Sequence, residues 1–64
     1  MTLGKNIRNR RQDQGLNQSE LAKMAKISVS YLSEIENERI NPSSKTLLKI
    51  AKALKVNISD LVQP

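Results

Sequence analysis

The chain contains no cysteine, histidine, tryptophan or phenylalanine, and only one tyrosine, two glycines and two prolines in 64 residues. Each shortage removes a class of protein. Without cysteine there is neither a disulfide framework nor a thiolate metal site. Without histidine the commonest general base and metal ligand is missing. Proteins that grip single strands or RNA loops stack bases on several aromatic rings, and Tyr31 is the one ring here. Apolar runs stop at two or three residues, too short for a membrane span or a signal-peptide core. A cytoplasmic chain with no metal and no cofactor is the expectation.

What remains is small and basic. Sixty-four residues make a single domain over 1–64, near the lower limit for folding without staples. Eleven basic against six acidic residues give a net charge of +5, which favours an anionic partner. The shortage of aromatics makes duplex DNA the better nucleic-acid candidate.

Apolar spacing predicts five helices and no strand. The first runs from about Leu3 to Gln14 and stops at Gly15, with the stems of Arg10 and Arg11 supplementing a thin apolar face of Leu3 and Ile7. Helix two starts at Asn17, which caps while Glu20 reaches back as in a capping box. Leu16 and Leu21 then form a hydrophobic staple. The same five-residue spacing recurs as Ile27 and Leu32 around the cap Ser28, and as Val56 and Leu61 around the cap Asn57, which has Asp60 three places on. These repeats fix the starts of helices two, three and five. Helix four follows Asn41-Pro42-Ser43, with Leu47, Ile50, Ala51 and Leu54 forming one core-facing stripe. Helix two contributes Leu21, Ala22 and Ala25, with Met24 at the edge, and helix three contributes Leu32 and Ile35. Short connections between such helices describe an all-α, compact five-helix bundle.

Two of these helices meet at a turn of a few residues within about 17–37, the arrangement of a helix-turn-helix. With Leu32 and Ile35 inward, Val29, Ser30, Ser33 and Glu34 lie on the outward face of helix three. Small side chains there permit close approach to base edges. Valine can contact a thymine methyl, serine can donate or accept, and glutamate can accept from cytosine N4. An ordinary surface helix would also satisfy this pattern.

Gly15-Leu16-Asn17-Gln18, Glu20-Leu21-Ala22, Ile27-Ser28, Tyr31-Leu32-Ser33, Ile35-Glu36-Asn37 and Asn41-Pro42-Ser43 with Leu47-Leu48-Lys49-Ile50-Ala51 resemble the Cro-repressor-type (xenobiotic-response-element-like) helix-turn-helix family. The resemblance runs from Ile7 to Val62 and is nearest to Gram-positive repressors of developmental and biofilm genes. It implies a lambda-repressor-like DNA-binding domain, with base reading by Val29, Ser30 and Glu34 and Ser33 beside them. It places phosphate contacts at Gln18, Asn37 and Arg39. Tyr31 either sets its hydroxyl on a phosphate or packs at the groove edge. Lys45 is the lysine of helix four most expected near phosphate, whereas Lys49, Lys52 and Lys55 read as a solvated stripe. Arg11 and Glu36 match a buried structural salt bridge. Lys26 and Lys55 stand where the family has glycine, and Arg10 where it has an apolar residue.

The resulting expectation is a sequence-specific double-stranded DNA-binding regulator, a repressor acting as a homodimer on a palindrome. Its dimer surface would draw on Ile40, Ile58, Leu61 and Val62, although the same residues could close the core around helix five, the preferred reading for Leu61. A protein antagonist is the further partner considered beside DNA and a second copy of the chain. The alternative is an antitoxin or protein-interaction module of the same fold, for which an extension past Pro64 would be expected. An enzyme is disfavoured, because Glu34, Glu36 and Glu38 do not converge at helical spacing.

Overall fold

Helix caps and left-handed stops divide the chain, and the core follows from where they fall. In the computed structural model, which describes residues 3–62, the helices are α1 (Leu3–Asp13), α2 (Gln18–Ala25), α3 (Val29–Glu36), α4 (Ser44–Leu54) and α5 (Ile58–Leu61), with no strand among the described residues. The all-α five-helix fold with a helix-turn-helix at its centre is therefore observed.

The starts agree with the cap reading. Asn17 Oδ1 accepts from Glu20 N at 2.7 Å while Glu20 Oε1 accepts from Asn17 N at 2.9 Å. Ser28 Oγ accepts from Tyr31 N at 3.0 Å, and Ser43 Oγ from Thr46 N at 3.2 Å. At Asn57 the carboxylate of Asp60 accepts the cap amide at 3.1 Å.

Four helices stop in the same way. Leu16 N donates to Arg11 O, Ile27 N to Ala22 O, Arg39 N to Glu34 O and Val56 N to Ala51 O, at 2.9–3.0 Å. Each bond spans a left-handed residue: Gly15 (φ +72°), Lys26 (+59°), Glu38 (+60°) and Lys55 (+59°). Only the first is glycine, so three stops carry a steric cost of about 1–2 kcal/mol each. Leu16, Ile27 and Val56 each follow such a stop and also precede the next cap, and all three pack on the core. One apolar residue thus closes one helix and staples the next.

Ile7, Leu21, Leu32, Ile35, Ile50, Leu54 and Leu61 are essentially inaccessible, joined by Leu3, Ala22, Ala25 and Ala51. Burying seven large aliphatic side chains, at about 1.5–3 kcal/mol each, is the main force holding α3 in place. Two expectations need correction. Arg10 is exposed, because the helix turns it away, and Arg11 is the one that goes inward. Leu61 is 0% exposed and belongs wholly to the core, so it is unavailable to a dimer surface.

Gly4 is also buried, at the crossing of α1 over the end of α3. A Cβ there would overlap the Ile35 carbonyl oxygen and stand 2.9 Å from that of Glu36. Only glycine permits this approach.

Candidate nucleic-acid interface

Helix α3 is anchored on its inner face by Leu32 and Ile35 and displays Val29 and Ser30 to solvent, with Ser33 and Glu34 half-buried. Val29 is an exposed valine, 42% accessible, at the first position of the helix. The four base-reading candidates therefore share the outward part of one helix, on the side opposite its core residues.

Behind the C-terminal end of α3 lies a buried carboxylate. Glu36, 3% exposed, accepts Arg11 Nε at 2.8 Å and Arg11 Nη2 at 2.9 Å. Gln18 Nε2 donates to the same group at 3.1 Å, and Arg8 Nε lies at 3.5 Å. Arg11 Nη1 also donates to Leu16 O at 2.9 Å, tying the entry to α2 into the cluster. Burial alone would push the Glu36 carboxyl up, but hydrogen bonds from Arg11, Gln18 and Arg8 and the Arg11 charge hold it below the ordinary carboxylate range. The same hydrogen bond, acting against burial, raises Arg11. A paired, fully hydrogen-bonded buried charge fixes geometry while adding little net stability of its own. Here the fixed geometry is that of α1, the start of α2 and the end of α3.

The phosphate candidates surround this frame. Gln18, at the first turn of α2, has one amide hydrogen on Glu36, so the buried cluster orients it. Asn37 caps α3 and is exposed; its Nδ2 donates to Ser33 Oγ at 3.3 Å and its Oδ1 accepts from Arg8 Nη2 at 3.0 Å. Arg39 Nη1 stands 3.6 Å from Glu34 Oε2, an exposed pair of small energetic worth that offsets the glutamate charge on the reading face. Tyr31 leans on the start of α4, its hydroxyl donating to Thr46 Oγ1 at 3.5 Å, next to the exposed Lys45. Of the proposed dimer residues, Ile40 and Val62 are exposed at 41% and 53%, whereas Ile58 is half-buried against the core.

Several positioning residues escaped the reading of apolar spacing. Gly4 and Arg8 are two of them: with Ile7 and Arg11, already placed on helix one, they fall at i, i+3, i+4 and i+7, a helix face on which a glycine and two arginines replace apolar residues. That period was the available signal. Asn6 Nδ2 donates to Leu61 O at 2.9 Å and Gln14 Nε2 to Leu54 O at 2.6 Å. These bonds join α1 to the end of α5 and the turn after α1 to the end of α4, and no local pattern marks them.

A small all-α domain with one helix presented outward from a helix-turn-helix defines the class. Residues 7–61 match the family described as helix-turn-helix, and the chain belongs to that family, in its Cro-repressor-type branch. The immunity repressor protein of Bacillus phage phi105 is 44% identical over 62 residues, covering 97% of this chain and 43% of that protein. The chain spans half or less of the length of the first curated relatives it matches. The N-terminal DNA binding domain of SinR from Bacillus subtilis superposes with a TM-score of 0.92 at 36% identity, covering 98% of this chain and 93% of that one. The P22 c2 repressor, solved in complex with a synthetic operator, superposes at 0.89 with 31% identity, covering 95% and 92%.

Proposed function

We propose that this domain binds double-stranded DNA by sequence and serves as a transcriptional regulator, acting as a repressor. The observation that carries the reading is α3 itself: a helix locked on one side by Leu32, Ile35 and buried Glu36, with Val29, Ser30, Ser33 and Glu34 on the other. Seated in the major groove, these short side chains would meet base edges, while Gln18, Asn37, Arg39, Lys45 and the Tyr31 hydroxyl would meet phosphates. The likeness to phage repressors, one of them solved on an operator, supports this.

A cytoplasmic location and action as a homodimer are part of the proposal. The domain measures 25 × 22 × 19 Å, so one copy falls short of the roughly 34–36 Å between half-sites one helical turn apart. A symmetric pair on an inverted repeat would cover both, with Ile40, Ile58 and Val62 as the candidate contact residues. Two clefts among the described residues, one between Met24 and Lys52 and one between Lys5 and Glu38, are open to solvent rather than enclosed, and a protein antagonist is the regulatory partner proposed in place of a small effector.

The test is selection of bound duplexes from a random DNA pool at near-physiological salt. Enrichment of an inverted repeat with half-site centres one turn apart is expected. Salt-sensitive binding without enrichment would reduce the interaction to phosphate attraction and refute sequence reading.

A further inference from the structure

We propose that Arg8 is a positioning residue for DNA binding: it fixes the rotational sense of the Asn37 carboxamide, so that an N–H and not a carbonyl oxygen meets the phosphate. The inference rests on the reading that Asn37 contacts DNA.

The Arg8 guanidinium bridges a rigid group and an exposed one. On one side its Nε faces Glu36 Oε1 at 3.5 Å, a carboxylate with no exposed side-chain surface that Arg11 grips at two points. On the other its Nη2 donates to Asn37 Oδ1 at 3.0 Å. An asparagine amide has an acceptor end and a two-donor end that are nearly the same shape, so neighbouring groups decide which way it points. With Oδ1 held by Arg8, the NH2 group lies on the other side, where one hydrogen goes to Ser33 Oγ at 3.3 Å. The second hydrogen remains for an external acceptor.

A phosphate oxygen only accepts. A flipped amide would offer it lone pairs and at the same time turn its NH2 against the guanidinium, donor against donor. Arg8 therefore makes the productive orientation the low-energy one before DNA arrives. Because its charge faces Glu36, the Arg8 effect on binding runs through Asn37 and not through a phosphate of its own.

The experiment compares the intact chain with Arg8→Met, Arg8→Lys, Asn37→Ala and the Arg8→Met/Asn37→Ala double variant. Each is titrated onto the selected duplex by fluorescence anisotropy across a salt series, with thermal unfolding followed in parallel to confirm folding. Arg8→Met should weaken binding about tenfold, the scale of one lost hydrogen bond, and leave the slope of log affinity against log salt unchanged. It should add nothing in the Asn37→Ala background, and Arg8→Lys should recover part of the loss. A slope smaller by about 0.9 would make Arg8 a direct phosphate ligand and overturn the inference. Additive losses in the double variant, or unchanged affinity for Arg8→Met, would overturn it as well. A wild-type chain that selects no duplex overturns the DNA reading and this inference together, whereas the other adverse outcomes overturn this inference alone.

Discussion

Arg11→Met should be among the most damaging single substitutions in the molecule, and its damage should depend on pH. The change removes the bidentate partner of Glu36, whose contacts lie at 2.8 and 2.9 Å, and leaves the buried carboxylate with Gln18 at 3.1 Å and the distant Arg8. Stranding a buried charge in this way costs about 3–5 kcal/mol. At about 0.05–0.15 kcal/mol per residue, a domain of this size has roughly 3–10 kcal/mol in total. The variant would therefore be marginal at neutral pH, with a melting temperature lower by about 12 °C or more. In the wild type the Glu36 carboxyl is held below its ordinary value. Its stabilisation is present above the unfolded-chain value of about 4.3 and lost as pH falls through the lower folded-state value. Without Arg11, the largest influence left is burial, which pushes the carboxyl upward, so acid relieves the variant while it penalises the wild type. The stability gap should narrow between neutral pH and about pH 3.5. Urea unfolding followed by circular dichroism at both pH values measures it, with Arg11→Lys as a milder variant. The Arg11→Met/Glu36→Leu pair should recover much of the loss. A cost below about 1 kcal/mol, the scale of an exposed pair, or a gap that ignores pH, would refute the reasoning.

Three further outcomes are expected. Gly4→Ala, which in an open helix would stabilise by about 1 kcal/mol, should instead destabilise by roughly 1–3 kcal/mol because the new methyl meets the Ile35 carbonyl oxygen; the urea midpoint reports the sign. Lys26→Gly and Lys55→Gly should each raise stability by up to about 1 kcal/mol, since both lysines are left-handed at φ +59°, and the two gains should add in a double variant. Glu34→Gln should raise affinity for arbitrary duplex while changing the preferred base opposite that position, as read by repeating the selection with the variant; an unchanged preference would remove Glu34 from the reading set.

Helix starts were legible because caps and staples are local: Asn17 with Glu20, Ser28, and Leu16 with Leu21 announce themselves within a few residues. The core stripe of α4 was legible for the same reason, through its period. The buried Arg11–Glu36 pair came from family resemblance, since nothing near either residue in the sequence points to the other, 25 positions away. What stayed hidden was long-range or disguised. Gly4 looks like a helix defect until the carbonyls of Ile35 and Glu36 are seen beside it. Arg8 looks like one cation among several until Asn37 and Glu36 appear at its two ends. Leu61 satisfied both a core and a surface pattern, and only the packing of α5 assigns it to the core. On the reading face the residue types were legible, and the i, i+4 spacing lets Asn37 reach Ser33, but helical phase cannot place Arg39, beyond the left-handed Glu38, near Glu34.

The outward face of α3 is what is proposed to meet DNA. Amide chemical-shift mapping on addition of the selected duplex, at near-physiological salt, tests it most directly. The largest changes are expected at Gln18, from Val29 to Glu34 and at Asn37, with small ones along Lys49, Lys52 and Lys55. Changes concentrated on that lysine stripe, with α3 unmoved, would contradict it and make the contact one of charge alone.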